Sequence, residues 1–283
     1  SPLAVLCFLV LHTCPHAATL TNNIICYDSD LYQCTACPPS QFKHREPNKA
    51  MDSDSDAHST GKIETCQPQP RHNLPSPVIP LTGDDWEHVY EPAEDTFLFM
   101  DALQEELPFL MEREPRTVLE LGCGSGCVTA FLAQHLRGAT FFASDINPHA
   151  LQAARRVFDA NKVEVELFQA DLLSAWRPRG NIDVLLFNPP YVPTPKEEMT
   201  SSWIARSWAG GDRGREVVDR IFPSLQEHLS AGGCLYMVAL DSNDPHDIAS
   251  EMSARGFRTK VVKKRKAGIE FLLILKIWRR LQA

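Results

Sequence analysis

An apolar run, a glycine-rich segment and an amphipathic run follow one another in the first half of the chain. Residues 117–121 (Thr-Val-Leu-Glu-Leu) have the character of a buried strand, and residues 127–136 continue as an amphipathic helix. Between them stand Gly122, Gly124 and Gly126, which let the backbone turn sharply and approach a ligand closely. The helix N-terminus behind such a loop favours negative or electron-rich groups. This order predicts a βαβ unit with a ligand loop at the end of its first strand.

The spacing of the loop glycines disfavours a nicotinamide cofactor. A dinucleotide-binding loop has the pattern Gly-x-Gly-x-x-Gly/Ala. Here the third glycine, Gly126, comes one residue early, and Cys127 occupies the position where Gly or Ala is expected.

Two further apolar runs end in carboxylates. Residues 139–144 lead to Asp145, about one βαβ unit beyond the glycine loop, where a carboxylate can accept both ribose hydroxyls of a nucleoside. Residues 163–169 lead to Asp171. Either aspartate alone could be a helix cap or a loop residue. The carboxyl ends of adjacent parallel strands share one crevice, and the residues expected to face it are Glu120, Asp145, Asp171 and Asn188.

A fourth apolar run, residues 182–187, is followed by Asn-Pro-Pro-Tyr. Two prolines fix the backbone and cannot donate hydrogen bonds, so the Asn188 side chain and the neighbouring carbonyls can face a ligand rigidly. Methyl transfer to an amide or exocyclic amino nitrogen needs such acceptors, because the nitrogen lone pair is delocalised. An ordinary Pro-rich turn is the alternative. The candidate catalytic residues are Asn188, Pro189, Pro190 and Tyr191.

These motifs together resemble a class I S-adenosylmethionine-dependent methyltransferase. More narrowly, Val-Tyr-Glu-Pro-Ala-Glu-Asp-Thr-Phe at 89–97, Ser-Trp-Ala-Gly-Gly at 207–211 and Gly-Arg-Glu at 214–216 resemble the eukaryotic HemK-like enzymes. Those enzymes methylate the glutamine of the Gly-Gly-Gln loop in class I release factors. The resemblance, which covers residues 85–275, implies that Asn188 binds the glutamine amide and that the two prolines and the tyrosine after it shape the slot.

The resemblance also implies a set of residues that hold S-adenosylmethionine. Glu120 and Gly122 are expected at its amino acid part, Asp145 at its ribose, and Asp171 with Leu172 at its adenine. Three residues upstream of the first strand are expected to close over it. The full set comprises Tyr90, Pro92, Thr96, Glu120, Gly122, Gly124, Gly126, Asp145, Asp171, Leu172 and Asn188.

Strands and helices alternate after Asp85, which predicts an α/β fold with a mostly parallel, doubly wound sheet. The resemblance adds seven strands in the order 3-2-1-4-5-7-6, with the last strand antiparallel. In that order residues 163–169 form an edge strand, whose apolar side chains need a cover. The resemblance implies a heterodimer in which a small zinc-binding activator protein adds a strand to this edge.

Three segments beyond the fourth strand carry further expectations. The long loop 192–211 contains Trp203 and Trp208, which either close over a peptide substrate or pack the loop onto the domain. A helix is expected at 214–229. The basic run 263–266 is expected at the turn between the last two strands, either as a solvated hairpin tip or as a docking patch for an acidic or ribosomal partner.

The first 84 residues lack periodicity and hold six of the nine cysteines. Cys34-x-x-Cys37 has half the spacing of a zinc site, but a second pair is missing, so no metal site is expected. The apolar start lacks the basic region of a signal peptide. We expect residues 1–84 to be a disordered leader that need not belong to the mature protein, with Met51 as a candidate start and residues 85–283 as the methyltransferase domain.

Composition limits the competing functions. The net charge of -8 argues against unspecific nucleic acid binding, and the scattered Cys123, Cys127 and Cys234 suit reduced thiols of a cytoplasmic or nuclear protein. Oxidation of the loop cysteines is the one weakness expected of the cofactor site. Glutamine methylation leads. The alternatives are adenine-N6 methylation of DNA or RNA, which needs a basic groove, lysine methylation of a histone, which needs a general base, and cofactor binding without turnover.

Overall fold

A seven-stranded mixed sheet forms the centre of the computed structural model, which describes residues 74–279. The strand order is β3-β2-β1-β4-β5-β7-β6, and β7 runs antiparallel to both of its neighbours. The predicted fold class and strand order are therefore confirmed. The strands are β1 (Thr117–Leu121), β2 (Thr140–Asp145), β3 (Val165–Gln169), β4 (Ile182–Phe187), β5 (Leu229–Leu240), β6 (Phe257–Ala267) and β7 (Glu270–Arg279).

Three long helices alternate with the first strands, as the apolar periodicity predicts. The third shows why the boundaries are sharp. Pro148 suits its first turn, the Asn147 side chain accepts a hydrogen bond from the His149 N–H at 3.0 Å, and Lys162 ends it with a left-handed φ of 55°. The helices are α1 (Glu94–Arg113), α2 (Cys127–His135), α3 (Pro148–Asn161), α4 (Trp203–Arg206), α5 (Leu225–His228) and α6 (Pro245–Ala254).

The prediction of one continuous helix at 214–229 is wrong. Separate short turns at Val218–Arg220 and Phe222–Ser224 precede α5, and β5 already begins at Leu229. Gly214 lies in the left-handed region with a φ of 68°, which no α-helix accepts. Pro223 contributes no N–H and disfavours helical backbone at the residue before it. The apolar spacing of this segment reflects packing on the core, not one continuous helix.

The central strands are buried on both faces. Leu119, Leu185, Leu235 and Leu275 lie in one apolar cluster with residues of the helices, and all four have no exposed surface. Burying a side chain of this size stabilises the fold by about 1.5–3 kcal/mol. This packing holds the carboxyl ends of the parallel strands at fixed heights.

The strand register brings two predicted site residues to either side of the glycine loop. Leu121 pairs with Ser144 of β2 and with Phe187 of β4. The next residue of each strand follows at the same level, so Gly122 is flanked by Asp145 and Asn188.

The basic run 263–266 lies within β6, so its predicted place at the hairpin turn is wrong. The turn comes later, at Gly268, whose φ is 62°. Three of the four cations are paired with acidic groups. Lys263 contacts Glu105 at 2.7 Å, Lys264 contacts Asp241 at 3.6 Å, and Arg265 contacts Glu94 and Asp101. The basic run is therefore part of a long strand, with most of its side chains in ion pairs, and it is not a hairpin tip.

The expectations about the leader concern residues that mostly lie outside the described part of the chain. Residues 1–73, with Met51 and the Cys34-x-x-Cys37 pair, are among these. Residues 74–84 are described, and they contact the domain. The Val78 N–H donates to Asn161 Oδ1 at 2.9 Å, and Asn161 Nδ2 donates to the Val78 carbonyl at 2.7 Å. No helix in the described part of the chain, residues 74–279, is both long enough and apolar enough to cross a membrane.

Candidate active site

The glycine loop between β1 and α2 borders open space at two of its three glycines. Gly122 and Gly124 have φ values of 62° and 52°, and a Cβ added to either would meet no atom within 4 Å. Gly126 differs, because a Cβ there would lie 2.8 Å from the Phe158 ring. Gly126 therefore allows α2 to pack against α3, while the first two glycines leave room for a ligand close to the backbone. A contact between Gly126 and the cofactor stays a prediction.

Asp145 lies at the end of β2 and holds the glycine loop. Its Oδ2 accepts the Gly124 N–H at 2.9 Å, and its Oδ1 accepts the Asn147 N–H at 2.8 Å. Burial raises the pKa of this carboxyl, although the hydrogen bonds from Asn147 and Gly124 act in the opposite direction. Each carboxylate oxygen has a second lone pair, so the group can still accept both hydroxyls of a ribose.

Glu120 is the most deeply buried carboxyl of the site, with 2% of its surface exposed. Its Oε2 accepts hydrogen bonds from the Thr129 N–H, at 3.1 Å, and from the Thr129 hydroxyl. Burial raises the pKa of Glu120 to about 8, against the lowering by both Thr129 donors. Burial therefore favours the protonated form of this carboxyl.

The Asn188 side chain has a hydrogen bond at its amide nitrogen but none at its amide oxygen. Its Nδ2 donates to Asp95 Oδ2 at 2.9 Å. Its Oδ1 is buried and has no hydrogen-bond partner among the described residues. A carboxylate only accepts, so Asp95 determines which end of the amide faces it. An unpaired buried acceptor costs about 1–3 kcal/mol, and an incoming N–H donor would remove that cost.

Asp95 is a site residue to which the sequence analysis assigned no role. It stands in the first turn of α1, is 4% exposed, and accepts the Thr96 N–H at 2.8 Å. Burial, and then the charge of this carboxylate, raises the pKa values of Tyr90 and Tyr191 well above the usual range. An acid in the first turn of a helix is common because it complements the helix dipole. Its position in sequence therefore gave no sign of a further role.

Other predicted cofactor residues lie at the same edge of the sheet with partners of their own. The Thr96 hydroxyl accepts the Ala93 N–H at 3.4 Å, and Pro92 is half-buried beside it. Asp171 forms an ion pair with Arg220 at 2.6 Å, and Leu172 takes a left-handed φ of 52° as it packs on the core. Their contacts with a cofactor stay predictions.

The long loop 192–211 is fastened to the Asn-Pro-Pro-Tyr segment. The Val192 N–H donates to the Trp208 carbonyl at 3.0 Å, and the Gly210 N–H donates to the Val192 carbonyl at 2.8 Å. Trp203 begins the short helix α4 and carries the Arg206 guanidinium 5.1 Å from its ring centre. These contacts favour packing over a free lid as the role of the loop.

The three described cysteines are all buried. Burial raises the pKa of Cys127 to about 12 and of Cys234 to about 11, and it raises the pKa of Cys123 strongly as well. Oxidation proceeds through the thiolate, and burial disfavours the thiolate at all three positions. The expected sensitivity of the loop cysteines therefore finds no support in their surroundings.

Comparisons with known proteins agree with this geometry. The family model for the Methyltransferase small domain matches residues 95–207. Methyltransferase HEMK2 of Mus musculus is 42% identical over 208 residues, which are 72% of this chain and 96% of that protein. The eRF1 methyltransferase catalytic subunit mtq2 of Schizosaccharomyces pombe is 39% identical over 222 residues, which are 73% of this chain and 96% of that protein.

One solved structure is similar in both sequence and fold. It is the Mtq2–Trm112 complex of E. cuniculi, described as responsible for the methylation of the eRF1 translation termination factor. It matches with a TM-score of 0.53 and 32% identity, over 68% of this chain and 99% of that one. Together with the glycine loop and the Asn-Pro-Pro-Tyr slot, these matches show that the chain belongs to the HemK-like methyltransferase family.

Proposed function

We propose that this protein transfers a methyl group from S-adenosylmethionine to the side-chain amide nitrogen of the glutamine in the Gly-Gly-Gln loop of a class I release factor. The observation that carries the proposal is the buried, unpaired Oδ1 of Asn188, whose orientation Asp95 determines. A primary amide presents two N–H groups, which suit an acceptor slot of this kind. The relatives that are described as methylating eRF1 support the choice of substrate.

The residues present fit S-adenosylmethionine, which supplies an electrophilic methyl group when bound. The open space beside Gly122 and Gly124 admits a ligand close to the loop backbone. Asp145 has lone pairs left for a ribose, and Glu120 stands behind the loop for the amino acid part. Closure by Tyr90, Pro92 and Thr96, and adenine contacts from Asp171 and Leu172, belong to the same proposal.

The chain's contribution to the reaction is orientation. In the proposed complex, Asn188 Oδ1 and the Pro189 carbonyl each accept one N–H of the glutamine amide, so the nitrogen lone pair is directed away from the slot. Asp95 accepts the Asn188 N–H and thereby makes Asn188 Oδ1 a stronger acceptor. The amide nitrogen needs no prior deprotonation: as the new N–C bond forms, the bond between the methyl group and the cofactor sulfur would break, and the nitrogen would then lose one proton to solvent.

The same surroundings count against a lysine substrate. A lysine ammonium must lose a proton before it can accept a methyl group. Tyr90 and Tyr191 cannot take that proton at neutral pH, because burial and the Asp95 carboxylate raise their pKa values, which disfavours the phenolate form. Asp95 is already engaged by Asn188 and the Thr96 N–H. A neutral amide is the substrate class that this slot accommodates directly.

We further propose that a small zinc-binding activator protein adds a strand to the outer edge of β3. Within residues 74–279, β3 pairs with β2 alone, so its other edge is open to a partner. The half-buried Phe168 lies near Trp176, which makes an edge-to-face contact with Phe142 at 4.9 Å between ring centres. An apolar partner surface would cover these rings. The Mtq2–Trm112 complex supports a partner of this kind.

The test is methyl transfer from labelled S-adenosylmethionine, with the activator present, to a release factor that carries Gly-Gly-Gln or Gly-Gly-Ala. We expect incorporation only with Gly-Gly-Gln, and a loss of at least about 10²–10³-fold in the Asn188→Ala variant, as when one polar stabilising group is removed from an active site. Cofactor affinity, measured by calorimetry, should stay within about twofold because Asn188 mainly serves the acceptor. Incorporation into Gly-Gly-Ala, or only with histone or nucleic acid added, would reject the glutamine assignment.

A further inference from the structure

One side chain behind the Asn-Pro-Pro-Tyr segment connects three separate parts of the chain. Asn243 lies in the short turn Asp241–Asn243, directly after β5, and is 2% exposed. Its Oδ1 accepts the Leu240 N–H at 2.7 Å. Its Nδ2 donates to the Tyr191 carbonyl at 2.8 Å and to the Arg213 carbonyl at 2.9 Å. The acceptor end of the amide faces an N–H and both donors face carbonyls, so its orientation is fully determined.

The backbones on the two sides of these hydrogen bonds are in direct contact. A Cβ added to Gly214 would lie 1.9 Å from the Tyr191 carbonyl oxygen and 2.5 Å from Asn243 Nδ2. A Cβ added to Gly210 would lie 2.6 Å from the Pro190 carbonyl oxygen. Gly210 and Gly214 thus allow the 210–214 segment to lie directly against the Pro190 and Tyr191 carbonyls. A side chain at either glycine would not fit in this space.

Asn243 is itself anchored. Arg215 is buried and donates to the Asn243 carbonyl at 3.3 Å. Its guanidinium also meets three acids, Asp219 at 2.6 Å, Asp247 at 3.1 Å and Glu251 at 3.4 Å. Asp247 and Glu251 both belong to α6. Arg215 therefore links the backbone of Asn243 to this helix.

This arrangement matters because of the two prolines. Pro189 and Pro190 have no N–H, so the backbone between Asn188 and Tyr191 cannot be held by its own donors at these positions. A donor from another segment can fix this backbone through one of its carbonyls. Asn243 supplies it at Tyr191, three residues beyond the group that faces the substrate.

We propose that Asn243 is a positioning residue of the amide slot, which holds Asn188 Oδ1 and the Pro189 carbonyl at the spacing of the two N–H groups of a primary amide. The inference rests on the proposed function, since only methylation at this slot gives the spacing a catalytic meaning. A displacement of about 1 Å in such an arrangement lowers turnover by about 10²-fold. Asn243 touches neither the substrate nor the cofactor in this proposal.

The test variant is Asn243→Asp in the complete activated enzyme. It keeps an acceptor for the Leu240 N–H but removes both donors and turns an oxygen toward two carbonyls. We expect kcat to fall by about 10–100-fold, while KM for the release factor and the Kd of S-adenosylmethionine change less than about threefold. Hydrogen exchange of the Val192 and Thr194 amides, which bond to the 208–211 segment, should become faster. Asn243→Ser, which removes one donor without adding a charge, serves if N243D does not fold.

Asn161→Ala is the matched control. Asn161 also binds the backbone of a distant segment, through the N–H and carbonyl of Val78, but it lies at the end of α3. We expect a lower Tm with kcat unchanged. Equal kcat losses in both variants at equal loss of stability would overturn the proposal, as would unchanged exchange in N243D. If the unaltered enzyme methylates no glutamine, the proposed function fails, and the exchange data still decide whether Asn243 holds the slot.

Discussion

The two sides of Gly122 are built differently. On the β2 side, both oxygens of Asp145 accept N–H groups of the protein's own backbone. On the β4 side, Asn188 has one amide end bound to Asp95 and the other buried without a partner. On the β2 side, proposed for the cofactor, both carboxylate oxygens already have a donor from the protein. On the β4 side, proposed for the methyl acceptor, one amide oxygen has none.

This difference separates the roles of the two sides. Backbone contacts that the protein supplies keep the glycine loop in shape with or without a ligand. Under the proposed function, the unpaired oxygen of Asn188 gains its hydrogen bond from the substrate amide, so the substrate and not the cofactor completes the acceptor side. Substitutions on the cofactor side should therefore change binding of S-adenosylmethionine, and those on the acceptor side should change turnover.

After the loss of Asn188 itself, the largest expected effect on turnover is that of Asp95→Asn. An amide in place of the carboxylate can either accept or donate, so it no longer determines which end of the Asn188 amide faces the substrate. A hydrogen bond to a charged group contributes about 1.5–3 kcal/mol, so we expect kcat to fall by about 10–100-fold with cofactor affinity nearly unchanged. Steady-state methylation and calorimetry measure the two quantities.

Glu94→Gln is the control for this variant. Glu94 is the preceding residue, is exposed, and contacts Arg265 at 3.3 Å. Turnover should stay within about twofold, because an exposed ion pair contributes at most about 1 kcal/mol to stability. A loss of cofactor affinity in D95N as large as its loss of kcat would show that the two sides are not separate.

Gly124→Ala should have the opposite profile. The φ of 52° makes any side chain there strained by about 1–2 kcal/mol, and the new methyl group would occupy the open space beside the loop. We expect the Kd of S-adenosylmethionine to rise by about 10-fold or more, with kcat at saturating cofactor little changed. Gly138→Ala is the matched control, since Gly138 has a φ of 89° and equally open surroundings before β2. It should lose stability and keep cofactor affinity.

The smallest effect on turnover is expected from Glu120→Gln, which should instead change stability in a way that depends on pH. The folded-state pKa of about 8 is above the ordinary value of 4.5, so between these values the folded protein binds more protons than the unfolded chain. The free energy of unfolding of the unaltered protein should therefore fall, relative to that of the variant, as pH rises from about 4.5 to about 8. Above pH 8 the difference should stay constant. A Tm series of both proteins without cofactor tests this, and a difference that is independent of pH would contradict it.

The parallel half of the fold could be predicted closely. The boundaries of β1 and β4 agree with the sequence analysis residue for residue. Apolar runs bounded by glycine, proline and aspartate mark them clearly. Strand order came from the resemblance, because pattern alone does not rank strands in a sheet.

The errors concern segments whose structure depends on distant partners. Residues 214–229 have helical spacing, but the short turns there follow from Gly214 and Pro223 and from the pairing of Arg215 with α6. Asp95 and Asn243 were missed for a related reason. Each contacts residues far away in sequence, 93 positions for Asn188 and 52 for the Tyr191 carbonyl, and a single sequence holds no sign of such contacts.

The pair of acceptors at the slot also bears on how the reaction ends. A glutamine amide has two N–H groups, but its methylated product has one. The product can donate to Asn188 Oδ1 or to the Pro189 carbonyl, but not to both. It should therefore bind more weakly than the substrate and dissociate readily. A second methyl transfer would have only one N–H left to orient the nitrogen, and exhaustive methylation followed by mass spectrometry should show addition of one methyl group only. Under the proposed function, product release and the limit of one methyl per glutamine follow from the same two oxygens.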